Sequence, residues 1–521
     1  NNQAQLIPSL SWTNPDSTFG GAPLTDLDGV RVYRDTTLVT DITTVQIGQP
    51  STYDDNTVPA AGLYEYRVIA YNDSGDSPAA TASAYIGLDV PEAPSNVTAT
   101  PDPGGALSAL ISWSCPLAGA NGGYFPAGSW DGQYIYRNDS LIATLTGTNT
   151  TYTDTPASAG HYTYSVYYYN ASGEGPAGTA PEVYVGPSMS GTYDVGGGNN
   201  DFATVALAAA AAQAGPIGGP IVFNVYPGTY TDQAFMDYTM GTTPTNTVTF
   251  RGVETTADVM PIMTLSGTGS TDGSAFYLDG ASYVNIENIH FQNCGYAGVY
   301  TTYGSSTSDS CYNINIKDCY FENSYYNIYG YRINGGSIYA NEFLQTGYYY
   351  GMRVYYCTDM LVANNMVYLD YSGGTYDYGI YGYYCDYCKF YYNSVYAGYR
   401  GIYLSGSSTT GVDIRNNIFQ TDYNGTSSSY CSMYVGYTGI ATSDYNCFYS
   451  PDATYLVYWS TGYTDLLTYQ TATGEDMHSI NADPYFIDVT PTSYNLHINP
   501  LIASSVDGAA TPLAEVTDDF D

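Results

Sequence analysis

The sequence predicts an all-β chain, a β-solenoid preceded by two β-sandwiches, and three observations predict it. An Asn-rich phrase closing on an apolar residue recurs through the second half, as NIENIHF, NIKDCYF, YANEF, VANNMV, FYYNSV, IRNNIF and DYNCF. Its closing residues are Phe291, Phe321, Phe343, Val367, Val395, Phe419 and Phe448, spaced 22 to 30 residues apart. A fixed element at that period marks stacked coils, and short β-rich runs broken by Gly and Asn make them coils of strand. The second observation is that two earlier stretches repeat each other. The third is compositional: 62 Tyr and 56 Gly among 521 residues favour strands and turns over helices.

In chain order, the first stretch reads LSWTNP (10–15), GVRVYRD (29–35) and TYDDNTVPAAGLYEYRVIAYNDSGDSP (52–78). The second reads ISWSCP (111–116), GQYIYRND (132–139) and TYTDTPASAGHYTYSVYYYNASGEGP (151–176). Trp12 matches Trp113, Tyr33 matches Tyr136, and Tyr66 matches Tyr164. Short alternating runs between Gly, Pro and Asn turns describe a β-sandwich. The expected boundaries are 1–90 and 91–187. The second copy has a strand before its Trp, within APSNVTATPDPGGALSALISW (93–113), that the first copy lacks. A sandwich without its first strand has an open edge, which pairs with whatever strand is offered. Either the sequence is a fragment of a longer one, with both ends cut at the edge of a fold, or another segment fills the gap.

The third domain is expected over 188–521. DFATVALAAAAAQAG (201–215) is its one expected helix, near 201–214, with Asn200 or Asp201 as N-cap and Gly215-Pro216 as stop. A helix apolar nearly all round suits the raw end of a solenoid as a cap. PIVFNVYPGTYTDQ (220–233) reads as the first coil. Behind each anchor a small residue precedes an apolar one: Gly298-Val299, Asn327-Ile328, Gly351-Met352, Gly379-Ile380, Gly401-Ile402 and Ser432-Met433. Asn288, Asn341, Asn365, Asn393, Asn417 and Asn446, with Asp318 as a variant rung, are expected to form one column of stacked amides. Cys311, Cys357 and Cys385 share another column, which Ile333 also occupies. A Cys that exchanges with Ile reads as an inward small hydrophobe.

The early Trp, the G-x-Y-x-Y/V strand and the YN-x-SG-x-x-P close of residues 1 to about 187 resemble the fibronectin type III family. That resemblance implies Ig-like sandwiches serving as spacer or adhesion modules, with no catalytic residues. The coils, with the closing text NADPYFID…SYNLHINP (481–500), resemble right-handed parallel β-helix proteins of the pectate-lyase-like superfamily. The variety they most resemble is found in secreted surface proteins of Bacteroidetes-like bacteria. The implied location is extracellular or at the cell surface.

Charge narrows the partners. Lys+Arg is 11 and Asp+Glu is 49, a net charge of −38, which repels nucleic acid and anionic membranes. No stretch has the uninterrupted apolar length of a membrane span. Polysaccharide-cleaving relatives carry clustered carboxylates with His, Arg or Lys. The best such set here is Lys317, Asp318, Glu322, Arg332 and Arg353, with no matching motif around it. Ca²⁺ is a candidate cofactor through Asp359, Asp370, Asp377 and Asp386, whose spacing fits no defined calcium loop. Cys385-Asp-Tyr-Cys388 is a lone CxxC without the second pair a zinc site needs. Asn72, Asn96, Asn138, Asn149, Asn170 and Asn424 each begin an N-x-S/T glycosylation triplet.

The expected function is therefore that of a non-enzymatic extracellular structural protein. Its partners are copies of itself, joined head to tail in a filament by strand complementation, or carbohydrate. A donor strand is expected near NLHINPLIASSV (495–506) or just beyond it. The alternatives are a monomeric adhesin whose exposed Tyr columns stack on neutral glycans, and a polysaccharide lyase or hydrolase.

Overall fold

A computed structural model describes residues 6–198, 200–254, 259–304, 310–345, 350–369, 377–406, 409–422, 430–436, 439–490 and 493–517. The chain is all-β and divides into two compact units, Asn1–Pro187 and Ser188–Asp521.

The first unit holds two sandwiches. In the second of them, strands Ser95–Pro101, Ala109–Ser114 and Thr151–Asp154 form one sheet. The facing sheet runs through Gly132–Arg137, Ser140–Thr146 and Tyr164–Asn170. Their inner faces bury Val97, Ile111, Trp113, Ile135, Val166 and Tyr168. The first sandwich repeats the plan with one strand fewer: Ser9–Thr13 pairs with Pro50–Asp54 alone. Each sandwich pins its sheets with the same buried trio. Asp55 accepts from Arg34 Nη1 at 2.6 Å and Tyr66 Oη at 2.8 Å, and Asp154 accepts from Arg137 Nη1 and Tyr164 Oη, each at 2.8 Å.

The second unit is a solenoid of three ten-stranded sheets, parallel apart from one terminal antiparallel strand on the third. The first sheet starts at Met189–Val195, so the coils begin one rung earlier than residue 220. The expected anchors stack in register on the second sheet: Phe291, Phe321, Phe343, Val367, Val395, Phe419 and Phe448, all fully buried. Phe291, Phe321 and Phe343 stack with centroids 4.8 and 4.9 Å apart. Val299, Ile328, Met352, Ile380, Ile402 and Met433 do the same on the third sheet.

The cap helix spans Val205–Gln213 and buries Val205, Ala208, Ala209 and Ala212. That spacing is one face of a helix laid over the raw end. Its N-cap is Thr204, whose hydroxyl accepts from Leu207 N, and not Asn200 or Asp201. Asp201 is used one step earlier, where its carboxylate takes the Asp194 amide. Two further helices, Ser270–Gly273 and Leu466–Thr473, interrupt coils. The second is legible in hindsight from Asp465, which caps Thr468 N, and Gly474 at φ 76°.

Two columns run down the corner between the first and second sheets. At the position two before each anchor, Asn341, Asn365, Asn393, Asn417 and Asn446 form a buried chain of amides. Each Nδ2 donates to the next Oδ1 at 2.9–3.0 Å. Each also donates to a carbonyl of the preceding coil, as Asn393 does to Val362. Asn288 and Asp318 are not rungs of this chain. They stand three before their anchors, in a column with positive φ (54° and 53°) that also holds Ala340, Asn364, Tyr392, Asn416 and Tyr445. The rung positions in their coils are Ile289 and Cys319, and the Cys319 amide donates to Asn341 Oδ1. Cys311, Cys357 and Cys385 are fully buried free thiols, and burial pushes the Cys311 thiol up to about 12.

The donor end of the amide chain meets Asp476. This fully buried carboxylate accepts from Asn446 Nδ2, Ser443 Oγ, Ser479 Oγ and Tyr469 Oη. Burial raises its pKa, and the four donors oppose that rise.

Candidate functional site

The open edge of the first sandwich is the strongest candidate site. The two copies superpose by register: Val68 pairs Ala80 as Val166 pairs Gly178, and the Ser77 amide reaches Ala70 O as Gly175 reaches Tyr168 O. In the second copy, Ser95–Pro101 lies against Ala109–Ser114 and packs Val97 and Ala99 into the core. In the first copy no strand among the described residues does this. Ser9–Thr13 has a free side, and the space opens into two cavities of about 790 and 280 Å³ that share Trp12, Val68 and Ala80. The smaller is lined by Pro8–Trp12 on one wall and Ala80–Ala84 on the other, with no charged residue.

Burial shows what is missing. Trp113, Val166 and Ala180 are buried, while their counterparts Trp12 and Val68 are half-exposed and Ala82 is exposed. Alternation of the ladder decides which backbone groups face the gap. The Asp55 amide takes Pro8 O and the Asn14 amide reaches Gln49 O, so even-numbered residues point at the neighbouring strand. Ser9, Ser11 and Thr13 therefore aim N–H and C=O groups at the empty side. Two side-chain donors also wait there. Asn170 Nδ2 reaches both Ser129 O and Asp89 O, and Ser172 Oγ reaches Leu88 O. Their counterpart Asn72 reaches only the equivalent of the first, Asp26 O.

Of the expected donor tract, 495–506, the first four residues are already engaged, while Leu501 and Ile502 beyond them are exposed. Asn495–Ile498 pairs with Phe486–Asp488 in a hairpin, and Leu496 is buried against Met366, Tyr368 and Tyr396 of the solenoid. Residues 511–517 continue along the flank, with Leu513 on Ala363 and Tyr391 and Glu515 paired to Lys389 at 2.9 Å.

The third sheet carries the tyrosines. One outward column runs Tyr277, Tyr300, Tyr329, Arg353, Tyr381, Tyr403, Tyr434 and Tyr458. Tyr277–Tyr300 (5.4 Å, 4°) and Tyr434–Tyr458 (4.3 Å, 2°) stack face to face, while Tyr300–Tyr329 and Tyr403–Tyr434 are tilted by 59° and 53°. Such rings spend their flat faces on neighbours and offer edges and hydroxyls outward. Arg353 replaces one rung, with its guanidinium 4.4 to 5.7 Å from five tyrosine rings. Arg400 sits likewise 3.9 Å over Tyr434. These are cation–π rungs.

The expected catalytic set is not assembled. Lys317 pairs with Asp318 at 3.4 Å at a corner, Glu322 is on the second sheet, and Arg353 is on the third. Sequence reading missed the groups that Glu322 does meet. Its carboxylate takes His290 Nε2 at 3.1 Å and Gln292 Nε2 at 2.7 Å. Beside it Tyr494 Oη donates to Tyr320 Oη. Burial raises the pKa of Glu342, and the charge of His497 and a hydrogen bond from Tyr494 pull it back. Tyr494 and His497 reach this face only because the hairpin folds onto it, which no local pattern announces.

The calcium candidates are likewise apart. Asp377 precedes and Asp386 follows the strand Tyr378–Tyr383, Asp359 is exposed at a turn, and Asp370 lies outside the described residues. Among the described residues no group of three or more His, Cys, Asp or Glu is placed to hold a metal. Of the glycosylation candidates, Asn96, Asn138 and Asn149 are exposed and Asn72 is half-buried. Asn170 is buried with its amide donated to two carbonyls, so it is no acceptor, and Asn424 lies outside the described residues. No helix among the described residues is long and apolar enough to cross a membrane.

Residues 264–419 match the family model for the right-handed β-helix region. No curated protein matches the chain. Among solved structures, the FN1–FN3 domains of chicken CNTN1 are 17% identical, covering 35% of this chain and 62% of that one, with a TM-score of 0.17. Fibronectin(III)-like modules of Clostridium thermocellum CbhA are 16% identical over 35% of this chain and 87% of theirs, at 0.16. DFA-IIIase from Arthrobacter chlorophenolicus A6, without its lid, is 13% identical over 50% of this chain and 72% of its own, at 0.37. Two β-sandwiches followed in the chain by a right-handed parallel β-helix describe the fold.

Proposed function

We propose that this protein is a non-enzymatic extracellular structural protein. In this reading it is a repeating subunit of a surface filament, in which a strand of one copy completes the first sandwich of the next. The observation that carries the reading is the vacant strand position beside Ser9–Thr13, with its apolar walls and outward-aimed backbone groups. A contact of this kind is heterologous, and repeated without closure it makes a fibre. Every described strand already pairs within its own chain, so the donor is a segment outside those strands. Buried stacks of Phe, an internal amide chain and ladders of Tyr support the same reading, because they stiffen a rod rather than shape a cleft.

The carboxylates, tyrosines and histidines of the second sheet serve here as fasteners for the C-terminal hairpin. Glu322, His290 and Tyr320 each have a partner within the chain, while His497 also lines a cavity of about 400 Å³ with Met366, Asn417, His478 and Asp507. The tyrosine ladder, its ring faces already occupied, gives the glycan-stacking alternative less to rest on.

Electron cryomicroscopy of the purified chain tests the proposal. The expected result is regular fibres with a neighbour's strand beside Ser9–Thr13. Monomers at high concentration, or a first sandwich completed by a segment of its own chain, would overturn it.

A further inference from the structure

Where the third sheet turns back to the first, one column of the solenoid holds a pair of tyrosines bracketed by an arginine and a glycine. Tyr331, Tyr355, Tyr383 and Ser405 pair in register at the ends of successive strands, so the residues after them, Arg332, Tyr356, Tyr384 and Gly406, stack as the next column. The backbone fixes them there: the Tyr356 amide donates to Tyr383 O at 2.7 Å and the Tyr384 amide to Ser405 O at 3.0 Å. Both tyrosines hold positive φ, 54° and 50°, a conformation that a bulky residue adopts only under constraint. Their rings lie nearly parallel, with centroids 4.9 Å apart at 9°. Tyr356 is 40% exposed and Tyr384 is half-buried. The adjacent rings, Tyr355 and Tyr383, meet this pair edge-on, at 74° to 89°.

We propose that Tyr356 and Tyr384 are a cross-linking site: oxidised together, they join as a dityrosine that staples two adjacent coils. The oxidant is hydrogen peroxide acting through a haem peroxidase. Each phenol gives up one electron and its hydroxyl proton, and the two electrons and two protons reduce one peroxide to two waters. The unpaired electron of each phenoxyl spreads to the ortho carbons, Cε1 and Cε2. One ortho carbon of each ring forms the new C–C bond. The hydrogen that each of these carbons still carries passes through water to its ring's oxygen, which restores both aromatic phenols. Stacking selects the partner, because the rungs on either side, Arg332 and Gly406, offer no phenol. Exposure of Tyr356 admits the oxidant and leaves its ring room to tilt into the bond. The stack of Tyr368 on Tyr396 has a similar geometry, 5.2 Å at 5°, but it is buried beneath Val489 and Tyr494 and closed to the oxidant. The staple lies within one chain, so it stands apart from how copies assemble. A tie across the 28 residues between its ends restricts the unfolded chain as a disulfide does, in a protein whose nine cysteines are free thiols.

The test treats the full chain with a haem peroxidase and hydrogen peroxide, isolates the single-chain band from a denaturing gel, and digests it with an aspartate-specific protease. Asp359, Asp370 and Asp377 lie between the two tyrosines, so the bond shows by mass spectrometry as two peptides joined at their summed mass less two hydrogens. The pair carrying Tyr356 and Tyr384 is expected at least about fivefold above the pair carrying Tyr368 and Tyr396, because only the first is both held together and open to the oxidant. Tyr356→Phe and Tyr384→Phe keep a ring in the stack and remove one phenol, and each is expected to abolish the joined pair. Tyr355→Phe is expected to leave it unchanged. The linked chain is expected to unfold at a higher guanidinium concentration than Tyr356→Phe treated in the same way. Absence of the joined pair, its survival in either variant of the pair, or a yield no higher than that of Tyr368 with Tyr396 overturns the site. An unchanged unfolding midpoint overturns its role as a staple.

Discussion

At Asn393 a polar amide sits in a fully buried position because the coils on either side supply its partners. Its Oδ1 accepts the Asn365 amide and Nδ2, and its own Nδ2 meets Asn417 Oδ1 and Val362 O. Asn393→Leu keeps the volume and strips both ends of the bond chain. It is expected to destabilise the solenoid by about 2–4 kcal/mol, read from guanidinium unfolding, because buried donors and acceptors are left unmade. A loss below about 1 kcal/mol would mean the amides are ornamental. Asp55 supplies a pH dependence. Burial raises its pKa, but bonds from Thr57, Tyr66 and Arg34 outweigh that and leave it below the ordinary 3.8. A depressed folded pKa contributes stability that is present above 3.8 and is lost as pH falls through the lower folded value. Asp55→Asn is expected to flatten that acid limb in the first sandwich, measured by thermal unfolding between pH 5 and 2.

At the scale of the element, the two sandwiches are one design with and without a strand. The incomplete copy leaves Trp12 half-exposed where Trp113 is buried. It is expected to unfold first on heating, followed by hydrogen exchange of Gly62–Asn72 against Tyr164–Asn170. Ser11→Pro tests what the free edge is for. Ser11 points its N–H at the gap, so the substitution removes a ladder donor without breaking the pairing to Pro50–Asp54. Assembly is expected to be lost while near-ultraviolet circular dichroism stays native. Fibres of normal length would show that the edge plays no part.

For the whole molecule, the net charge of −38 opposes bringing copies together. If assembly joins uncharged surfaces, repulsion between the remaining surfaces is what salt relieves. Association is therefore expected to strengthen from 20 to 300 mM NaCl, judged by sedimentation velocity. Weakening over that range would point to a contact built on ion pairs.

The sequence by itself determined the solenoid and its anchors. Each coil meets the same interior, so Phe291, Phe321, Phe343 and their successors were selected by one repeated environment and show as a period. It determined the paired sandwiches for the same reason, since one copy can be read against the other. A one-residue question was beyond it. Asn suits both a positive-φ turn and a stacked amide chain, so Asn288 and Asp318 look like rungs until the backbone places them one position away. Only the tertiary structure decided that Asn495–Ile498 folds onto the solenoid and brings Tyr494 to Tyr320, a contact spanning 174 residues. Contacts between distant segments depend on where surfaces meet after folding, and no local pattern encodes that.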